Sequence, residues 1–402
     1  MNIFTQGSRY SIQYSVAAPI WWRLVALGLW FFSSLAQADH LHFSVLEDPA
    51  GKLTFNQVRD LEFTPITTDV LSFGLSNSTY WVKFDSSDIT STHELLYSCQ
   101  TQLDVLDVYI PEGDYWRQVN VGTSRPFANR DIEHPCYLFD VAGVPDSEIY
   151  LRMWSDGIAK LALNLGSKQE FWQRQVSMQL MYGVYFALLA AILLYNFGFY
   201  WFTRDKVYLY CMGYLGGVAL FLATTSGHAS MYLWPNAVLW ADIAPVALVS
   251  LAIACGLLCV KRTVASDSYS PGMAKWVLRV APMAILIAVV NLFNGALAII
   301  LLGIFLVLAL VLSFGMIAVS TFERYPPAYI LAFAIIILLP AALAYFWHSV
   351  GWLKENDLLN IILYLTSSIE GLALTLALAY RERFMEPRNS TSAATKLGKQ
   401  TV

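Results

Sequence analysis

The residues of this chain best suited to ligand binding lie in its N-terminal half and are mainly aromatic and arginine side chains. Tryptophan and tyrosine rings can stack on a flat ligand, and planar guanidinium groups donate several hydrogen bonds in a fixed geometry. The set consists of Trp81, Tyr109, Trp116, Trp154, Arg125, Arg130 and Arg152. A second interpretation stays open, because Trp81 lies inside a predicted strand and would also suit a core, and the arginines would also suit solvated or ion-paired loops.

The sequence contains no pattern typical of a metal or catalytic centre. CxxC and HExxH motifs are missing from the chain, and Ser, His and Asp residues show no readable catalytic spacing. We therefore expect no metal, no cofactor and no enzymatic activity. Three of the five cysteines lie in long apolar stretches and are predicted to be small buried residues. Cys99 and Cys136 lie in the N-terminal half, where they could form a disulfide or remain free thiols.

Seven long apolar stretches make up the C-terminal half. A membrane-spanning helix needs about 20 mostly apolar residues, because the hydrocarbon core of a bilayer is about 30 Å thick. The stretches cover roughly residues 177–202, 207–226, 237–260, 276–291, 296–319, 328–350 and 358–380. The fourth and fifth are separated by Asn291-Leu292-Phe293-Asn294-Gly295, which predicts a tight turn between two helices.

The distribution of Lys and Arg predicts the orientation of these spans. Segments 203–206, 261–279, 323–327 and 381–402 contain 2, 4, 1 and 5 of these residues, whereas the alternate loops contain only Lys354. Positive residues favour the cytoplasmic side of a membrane. We therefore expect a multi-pass membrane protein with its N-terminal half outside the cytoplasm and its C-terminus in the cytoplasm.

Charge separates the two halves. Residues 39–176 contain 20 acidic and 10 basic side chains, whereas residues 177–402 contain 9 acidic and 13 basic ones. The acidic half argues against nucleic acid as a partner, because nucleic-acid sites need basic patches. The basic inner loops of the C-terminal half suit contact with the anionic headgroups of membrane lipid.

The N-terminal half begins with a predicted targeting segment. Residues 1–38 place Arg9 and Arg23 before an apolar run and end in Ala36-Gln37-Ala38, which is typical of a signal peptide and its cleavage site. An uncleaved anchor, which would add an eighth span, is the alternative.

Residues 39–170 are predicted to form a β-sandwich or jelly roll. Short β-branched and aromatic runs alternate in polarity, as in LDVLDVYI and KLALNL, and turn-forming clusters such as PEGD and GVPD separate them. We expect this to be the periplasmic ligand-binding domain, followed by an all-α seven-helix transmembrane domain over residues 171–383 and a disordered cytoplasmic tail over residues 384–402.

Several motifs of both halves resemble one family of bacterial membrane receptors. They are FGLSNSTYWVKF, LDVLDVYI, YLRMWSDG, YGVYFALLAAILLYNFGFYWFTRDKVYLYC and SSIEGLALTLALAYRERF. In this order they resemble the seven-transmembrane receptors with diverse intracellular signalling modules that carry a type-2 extracellular domain. The resemblance covers roughly residues 45–385. It implies a domain that binds carbohydrate or a related small ligand, and it adds Lys83 to the candidate site, at a position where the family pattern leads us to expect Arg.

The resemblance also implies an output on the cytoplasmic side. Receptors of this kind usually carry a diguanylate cyclase, histidine kinase or phosphatase module after the seventh span, whereas only 22 residues follow Tyr380 here. We therefore expect a separate signalling protein, such as a kinase or nucleotide cyclase, to contact the inner surface. The candidate contact residues are Arg204, Asp205, Lys206 and Arg381. Arg204, Asp205 and Lys206 would serve equally well to fix the topology.

Two polar residues inside the predicted spans are candidates for coupling. Glu370 lies near the middle of the seventh stretch, where a charge is costly by about 2.5–3.5 kcal/mol. We expect it to face other helices and to bond to Asn196, Asn291 or a tyrosine hydroxyl. A purely structural role for Glu370 stays open. We assign both Asn196 and Glu370 to transmembrane coupling.

Four classes of function fit such a chain to different degrees. A receptor that passes a signal to another protein fits best. A structural cell-envelope adaptor would need no ligand. A transporter is disfavoured because few charges lie within the spans and no inverted repeat is apparent. A membrane enzyme lacks any readable catalytic spacing.

Overall fold

The computed structural model describes residues 43–66, 70–85, 94–144, 148–350 and 357–399. The predicted signal peptide lies outside the described residues. An N-terminal β domain precedes a bundle of long apolar helices, so the predicted fold class is confirmed.

The β domain has eleven strands and one short helix within the described residues. The strands are β1 (Phe43–Asp48), β2 (Thr64–Ile66), β3 (Val70–Leu75), β4 (Thr79–Asp85), β5 (Leu95–Ser98), β6 (Val105–Glu112), β7 (Tyr115–Val121), β8 (Tyr137–Asp140), β9 (Glu148–Trp154), β10 (Ile158–Ala162) and β11 (Asn164–Gly166). Helix α1 (Phe55–Val58) lies between β1 and β2. A 3-10 helix spans Phe127–Asn129.

The strands form two layers around one apolar core. The main sheet has the order β2-β1-β4-β9-β6-β7, and the smaller sheets have the orders β10-β3 and β11-β5-β8. Neighbouring strands of the main sheet are antiparallel. Val82, Leu106 and Leu151 of the main sheet pack with Leu96 and Phe139 of the small sheets. This two-layer arrangement is the β-sandwich that the alternating pattern predicts.

A disulfide joins Cys99 to Cys136 in this domain. Cys99 follows β5 and Cys136 precedes β8, two strands that are hydrogen-bonded neighbours. Of the two alternatives that the sequence leaves open for these cysteines, the structure has the bonded pair.

The helices of the second half are long enough and apolar enough to span a membrane seven times among the described residues. Their bounds are α2 (Lys168–Thr203), α3 (Lys206–Thr225), α5 (Val238–Thr263), α7 (Pro271–Val280) followed by α8 (Met283–Asn291), α9 (Gly295–Phe322), α10 (Pro326–Val350) and α11 (Asp357–Lys399). Two short helices connect them, α4 (His228–Tyr232) and α6 (Ser266–Tyr269). Pro282 separates α7 from α8, as expected of a proline inside a span.

Helix α11 differs from the sequence prediction at its end. The tail over residues 384–402 is predicted to be disordered, whereas the structure keeps residues 384–399 in the helix. Extending an existing helix avoids the cost of nucleation, so a segment without an apolar pattern can still follow a span as helix.

Close backbone approach fixes α3 against α5. A Cβ added to Gly217 would lie 2.9 Å from the Cβ of Ala252, and one added to Gly256 would lie 2.9 Å from the ring of Tyr214. Without side chains at these two positions the helices can pack in contact, which is the common solution where lipid supplies no hydrophobic driving force.

Candidate functional site

The strand register brings most of the candidate ligand residues to one face of the main sheet. Trp81 on β4 lies opposite Arg152 on β9, and Arg152 lies opposite Asp107 on β6. Tyr150 lies opposite Tyr109 in the same way. Side chains alternate along a strand, so these residues share the face opposite the core. We call this surface the outer face; its members are Trp81, Lys83, Asp107, Tyr109, Trp116, Tyr150 and Arg152.

An aromatic cluster covers the centre of the outer face. Phe55 of α1 stacks on Tyr109 with ring centroids 4.2 Å apart and ring planes 1° apart. The same ring meets Trp116 at 5.0 Å and Tyr150 at 5.5 Å, both edge-on. Trp81 stacks on Tyr109 at 5.8 Å and is 1% exposed. Trp81 is therefore packed as a core residue, and its ligand-binding role stays a prediction.

Charged groups lie beside this cluster. The Asp107 carboxylate is almost fully buried and pairs with Arg125 at 2.5 Å and with Arg152 at 3.4 Å. Burial raises the pKa of the Tyr109 hydroxyl, and the neighbouring Asp107 raises it further. Lys83 pairs with Glu148 at 2.7 Å. Arginine and lysine thus have separate acidic partners on the outer face.

Two candidates lie outside the aromatic cluster. Arg130 donates to the carbonyl oxygens of His134 and Pro135 at 2.6 and 2.7 Å and lies over the ring of Tyr137. Its guanidinium therefore holds a loop together. Trp154 ends β9 and donates from Nε1 to the Asn77 carbonyl oxygen at 3.2 Å. The proposed ligand role of Arg130 and Trp154 has no support from this placement.

Sequence reasoning missed several members of the site. Phe55 and Phe63 pack on the outer face from the segment between β1 and β2, which has no periodic pattern. Asp107 appears in the sequence only as a polar residue in an alternating strand, and its pairing with two arginines depends on β9 and on the loop after β7. No local signal could have identified these residues, because their role arises from long-range pairing.

Hydrogen bonds dock the β domain on the ends of the spanning helices. The contacts join Thr101 Oγ1 to Thr225 O at 3.2 Å, Phe127 N to Pro235 O at 3.0 Å, and Gly295 N to Asp156 Oδ2 at 2.7 Å. A Cβ on Gly227 would lie 2.6 Å from the Pro135 carbonyl oxygen, so the surfaces meet closely. The contacts reach α3, the loop before α5, and the start of α9.

A buried histidine lies at the base of the same domain. His134 packs against Phe171 and Trp172 at the start of α2, with ring centroids 5.2 and 5.5 Å apart. Its Nδ1 accepts the Cys136 N–H at 3.0 Å. Burial lowers the pKa of His134 to about 4, so the ring is neutral at ordinary pH.

Both predicted coupling residues bond to neighbouring helices. Asn196 of α2 is fully buried and donates to Thr375 Oγ1 of α11 at 3.1 Å. Glu370 of α11 accepts the Tyr214 hydroxyl of α3 at 2.6 Å. A tyrosine hydroxyl is thus the partner among the three kinds expected for Glu370. Helix α11 is bonded in this way to both α2 and α3.

The loop between α2 and α3 lies at the end of the bundle remote from the β domain, which we call the far end. Asp205 caps α3 by accepting the Val207 N–H at 3.0 Å, and it pairs with Arg381 of α11 at 2.9 Å. Arg262 of α5 lies 3.7 Å from the same carboxylate. Arg381 is 4% exposed.

The electrostatics of Asp205 follow from these contacts. Burial alone would raise the pKa of Asp205, but the Val207 N–H, Arg381 and Arg262 together lower it. The flanking Arg204 and Lys206 are exposed. Among the predicted contact residues, Arg204 and Lys206 are thus accessible, while Asp205 and Arg381 pair within the bundle.

Comparison with protein families covers both halves of the chain. The family model described as 7TM diverse intracellular signalling matches residues 178–381. The model described as 7TMR-DISM extracellular 2 matches residues 41–167. No curated protein matches the chain.

Proposed function

We propose, from the premise that this chain belongs to the 7TM diverse intracellular signalling family, that it is a receptor whose β domain binds an extracytoplasmic ligand. The ligand is a carbohydrate or a related small molecule, and the outer face is its site. The receptor passes the signal through the bundle to a separate signalling protein, such as a kinase or nucleotide cyclase. The observation that carries this proposal is the convergence of Trp81, Tyr109, Trp116 and Arg152 on one face of a docked domain.

The chemistry of the outer face suits a small polar ligand with a flat side. Aromatic rings supply stacking area, and nearby side chains supply polar groups. Gln118 Nε2 donates to the Tyr109 hydroxyl at 3.2 Å and to Asn120 Oδ1 at 2.8 Å, which leaves a polar border beside the rings. Apolar rings bordered by amides and charges match a molecule that has both a ring face and hydroxyl groups.

The proposed orientation places the far end in the cytoplasm of a bacterium and the β domain in the periplasm. The bias of Lys and Arg toward the loops at the far end supports this direction. The pairing of Asp205 with Arg381 supports a transmission role for the far end, because it ties the last span to the α2–α3 loop. A partner protein that binds α11 would respond to whether the ion pair between Asp205 and Arg381 is formed.

The test uses the full-length protein in lipid nanodiscs and a panel of oligosaccharides. Binding is measured from intrinsic tryptophan fluorescence and from the shift in melting temperature. We expect at least one sugar to bind and Tyr109→Ala to weaken it about tenfold, since stacked aromatic contacts are worth about 0.5–1.5 kcal/mol beyond their buried area.

The matched control is Tyr115→Ala, at the β6–β7 turn, where the ring is 64% exposed and the hydroxyl donates to Glu112 of its own hairpin. Equal losses in the two variants would contradict a site on the outer face. A full panel without binding would favour the cell-envelope adaptor.

A further inference from the structure

Two buried hydrogen-bond donors on the outer face have no acceptor among the described residues. They are Trp81 Nε1 and Arg152 Nε. The other Arg152 nitrogens reach Asp107 and the Gly51 carbonyl oxygen only at 3.4 Å each. A buried donor without a partner destabilises the folded state. Two such donors on neighbouring strands therefore indicate that an acceptor belongs between them.

The charge balance at the same place favours an acceptor with a negative charge. Asp107 is the shared acid of Arg125 and Arg152, so this group of two cations and one anion carries a net charge of +1. Lys83 is neutralised separately by Glu148. This count covers the Asp107 group alone; Asp48, a further buried acid at the end of β1, accepts the Leu53 N–H at 2.8 Å. An added carboxylate would bring the Asp107 group to neutrality.

The ring of Phe55 occupies the place on Tyr109 where the ring of a ligand would stack. It lies parallel to Tyr109 and is held by a helix of only four residues, and Arg59 at the end of that helix lies 5.3 Å over Trp116. Val58 is the only buried residue of α1. A ligand ring that replaces Phe55 on Tyr109 must therefore supply the stacking and edge contacts that Phe55 makes with Tyr109, Trp116 and Tyr150.

We infer, on the basis of the proposed function, that the ligand of the outer face is an acidic sugar, a glycoside that carries a carboxylate. Its ring takes the place of Phe55 against Tyr109, and its carboxylate accepts the free N–H groups of Trp81 and Arg152. These two residues are direct cross-strand partners. Side chains opposite each other start about 5 Å apart, so the two oxygens of one carboxylate can meet both donors.

The experiment compares trigalacturonate with the neutral galactotriose by titration calorimetry on full-length protein in nanodiscs. The acidic sugar is expected to bind at least tenfold more tightly. Arg152→Gln should weaken trigalacturonate about 10- to 100-fold and galactotriose less than threefold, because a hydrogen bond to a charged group is worth about 1.5–3 kcal/mol. Trp81→Phe keeps an aromatic side chain and removes the N–H, and it should reduce the same preference if Arg152→Gln does not fold.

Two further variants complete the design. Phe55→Ala should strengthen binding of trigalacturonate about two- to tenfold, because the competing ring stack is removed. Arg117→Gln is the control for loss of a positive charge from the main sheet, since Arg117 pairs with Glu112 and Asp131 away from the cluster. It should leave both affinities unchanged.

The outcomes separate this inference from the proposed function. Equal affinity for both sugars, or an equal loss of both in Arg152→Gln, overturns the acidic ligand and leaves a ligand site on the outer face standing. Failure of trigalacturonate to bind either wild type or Phe55→Ala also overturns the inference. The proposed function fails if the whole oligosaccharide panel gives no binding as well.

Discussion

The substitution Asp205→Asn tests whether the far end is held by a buried ion pair. Asn keeps the cap of α3, because it is as good an N-cap residue as Asp. The change therefore removes the charge that faces Arg381 and Arg262 while it leaves the hydrogen bond to Val207 in place. Any loss of stability then reports the ion pair itself.

The structure sets the expected magnitude. The Arg381 side chain is 5% exposed and that of Asp205 is 24% exposed. Removing one partner of a buried ion pair costs about 3–5 kcal/mol, because the other charge stays buried without compensation. Arg381 keeps Glu382 at 3.2 Å, and Asp205 is partly hydrated. We therefore expect a loss of about 2–3 kcal/mol in the free energy of unfolding.

The assay is unfolding of the full-length protein in mixed micelles, for wild type, Asp205→Asn, Arg381→Gln and the double variant. The double variant should cost at least about 1 kcal/mol less than the sum of the singles, because one interaction is lost only once. Asp140→Asn is the control, since Asp140 makes the same kind of pair with Lys168 but both side chains are more than 40% exposed. It should cost less than about 1 kcal/mol.

The pH dependence gives a second check on the sign. The folded pKa of Asp205 lies below its unfolded value, so its contribution is present above about pH 4 and is lost as the pH falls through the folded pKa. The stability difference between wild type and Asp205→Asn should therefore shrink in acid. Additive costs in the double variant, or a loss no greater than that of Asp140→Asn, would refute the buried pair.

Three further predictions concern other parts of the chain. Replacing Cys99 and Cys136 by alanine should lower the stability of the β domain by about 2–4 kcal/mol, measured by thermal unfolding with and without reductant, because the bond closes a loop with a sequence separation of 37. As the pH falls from 6.5 toward 4, His134 should lower the free energy of unfolding by on the order of 2 kcal/mol, since the unfolded state binds the proton more tightly. His134→Asn should flatten this dependence of the melting temperature on pH. Tyr214→Phe should destabilise the bundle by about 1–3 kcal/mol in the micelle assay while Glu370→Gln should not, because only the former leaves the acceptor without its donor; equal effects would show that the 2.6 Å bond is not structural.

The sequence predicts the spans better than the strands. A run of about 20 apolar residues is a strong local signal, so each of the seven predicted stretches corresponds to a candidate span among the described residues. Helix α2 begins at Lys168 rather than at residue 177, so its first turns precede the apolar run. Strands β1, β2, β3 and β7 have no counterpart among the runs that the sequence predicts as strands. YWRQVNV of β7, for example, does not alternate cleanly, because Arg117, Gln118 and Asn120 interrupt its aromatic and β-branched residues. Short strands lack a signal until a partner strand is present.

The candidate site shows the same limit. Residue types alone identify Trp81, Tyr109 and Arg152 as able to bind a ligand, but they do not say which residues are neighbours. Register determines this, because a slip of one residue would move each side chain to the core. The place of Phe55 on Tyr109 depends on a segment without periodicity, so only the folded structure shows it.

Strand β6 connects the candidate site to the spanning helices. Asp107 and Tyr109 belong to the outer face, and Asp104 just before the strand accepts the Asp156 N–H at 2.7 Å. The Asp156 carboxylate in turn accepts the Gly295 N–H at the start of α9, also at 2.7 Å. A ligand can shift an equilibrium only through contacts that differ between its two states. A ligand bound to Arg152 of β9 would act on β6 through the pairing of Arg152 with Asp107. The start of β6 is linked by two hydrogen bonds to α9, so a change in the position of β6 must be accommodated at the membrane.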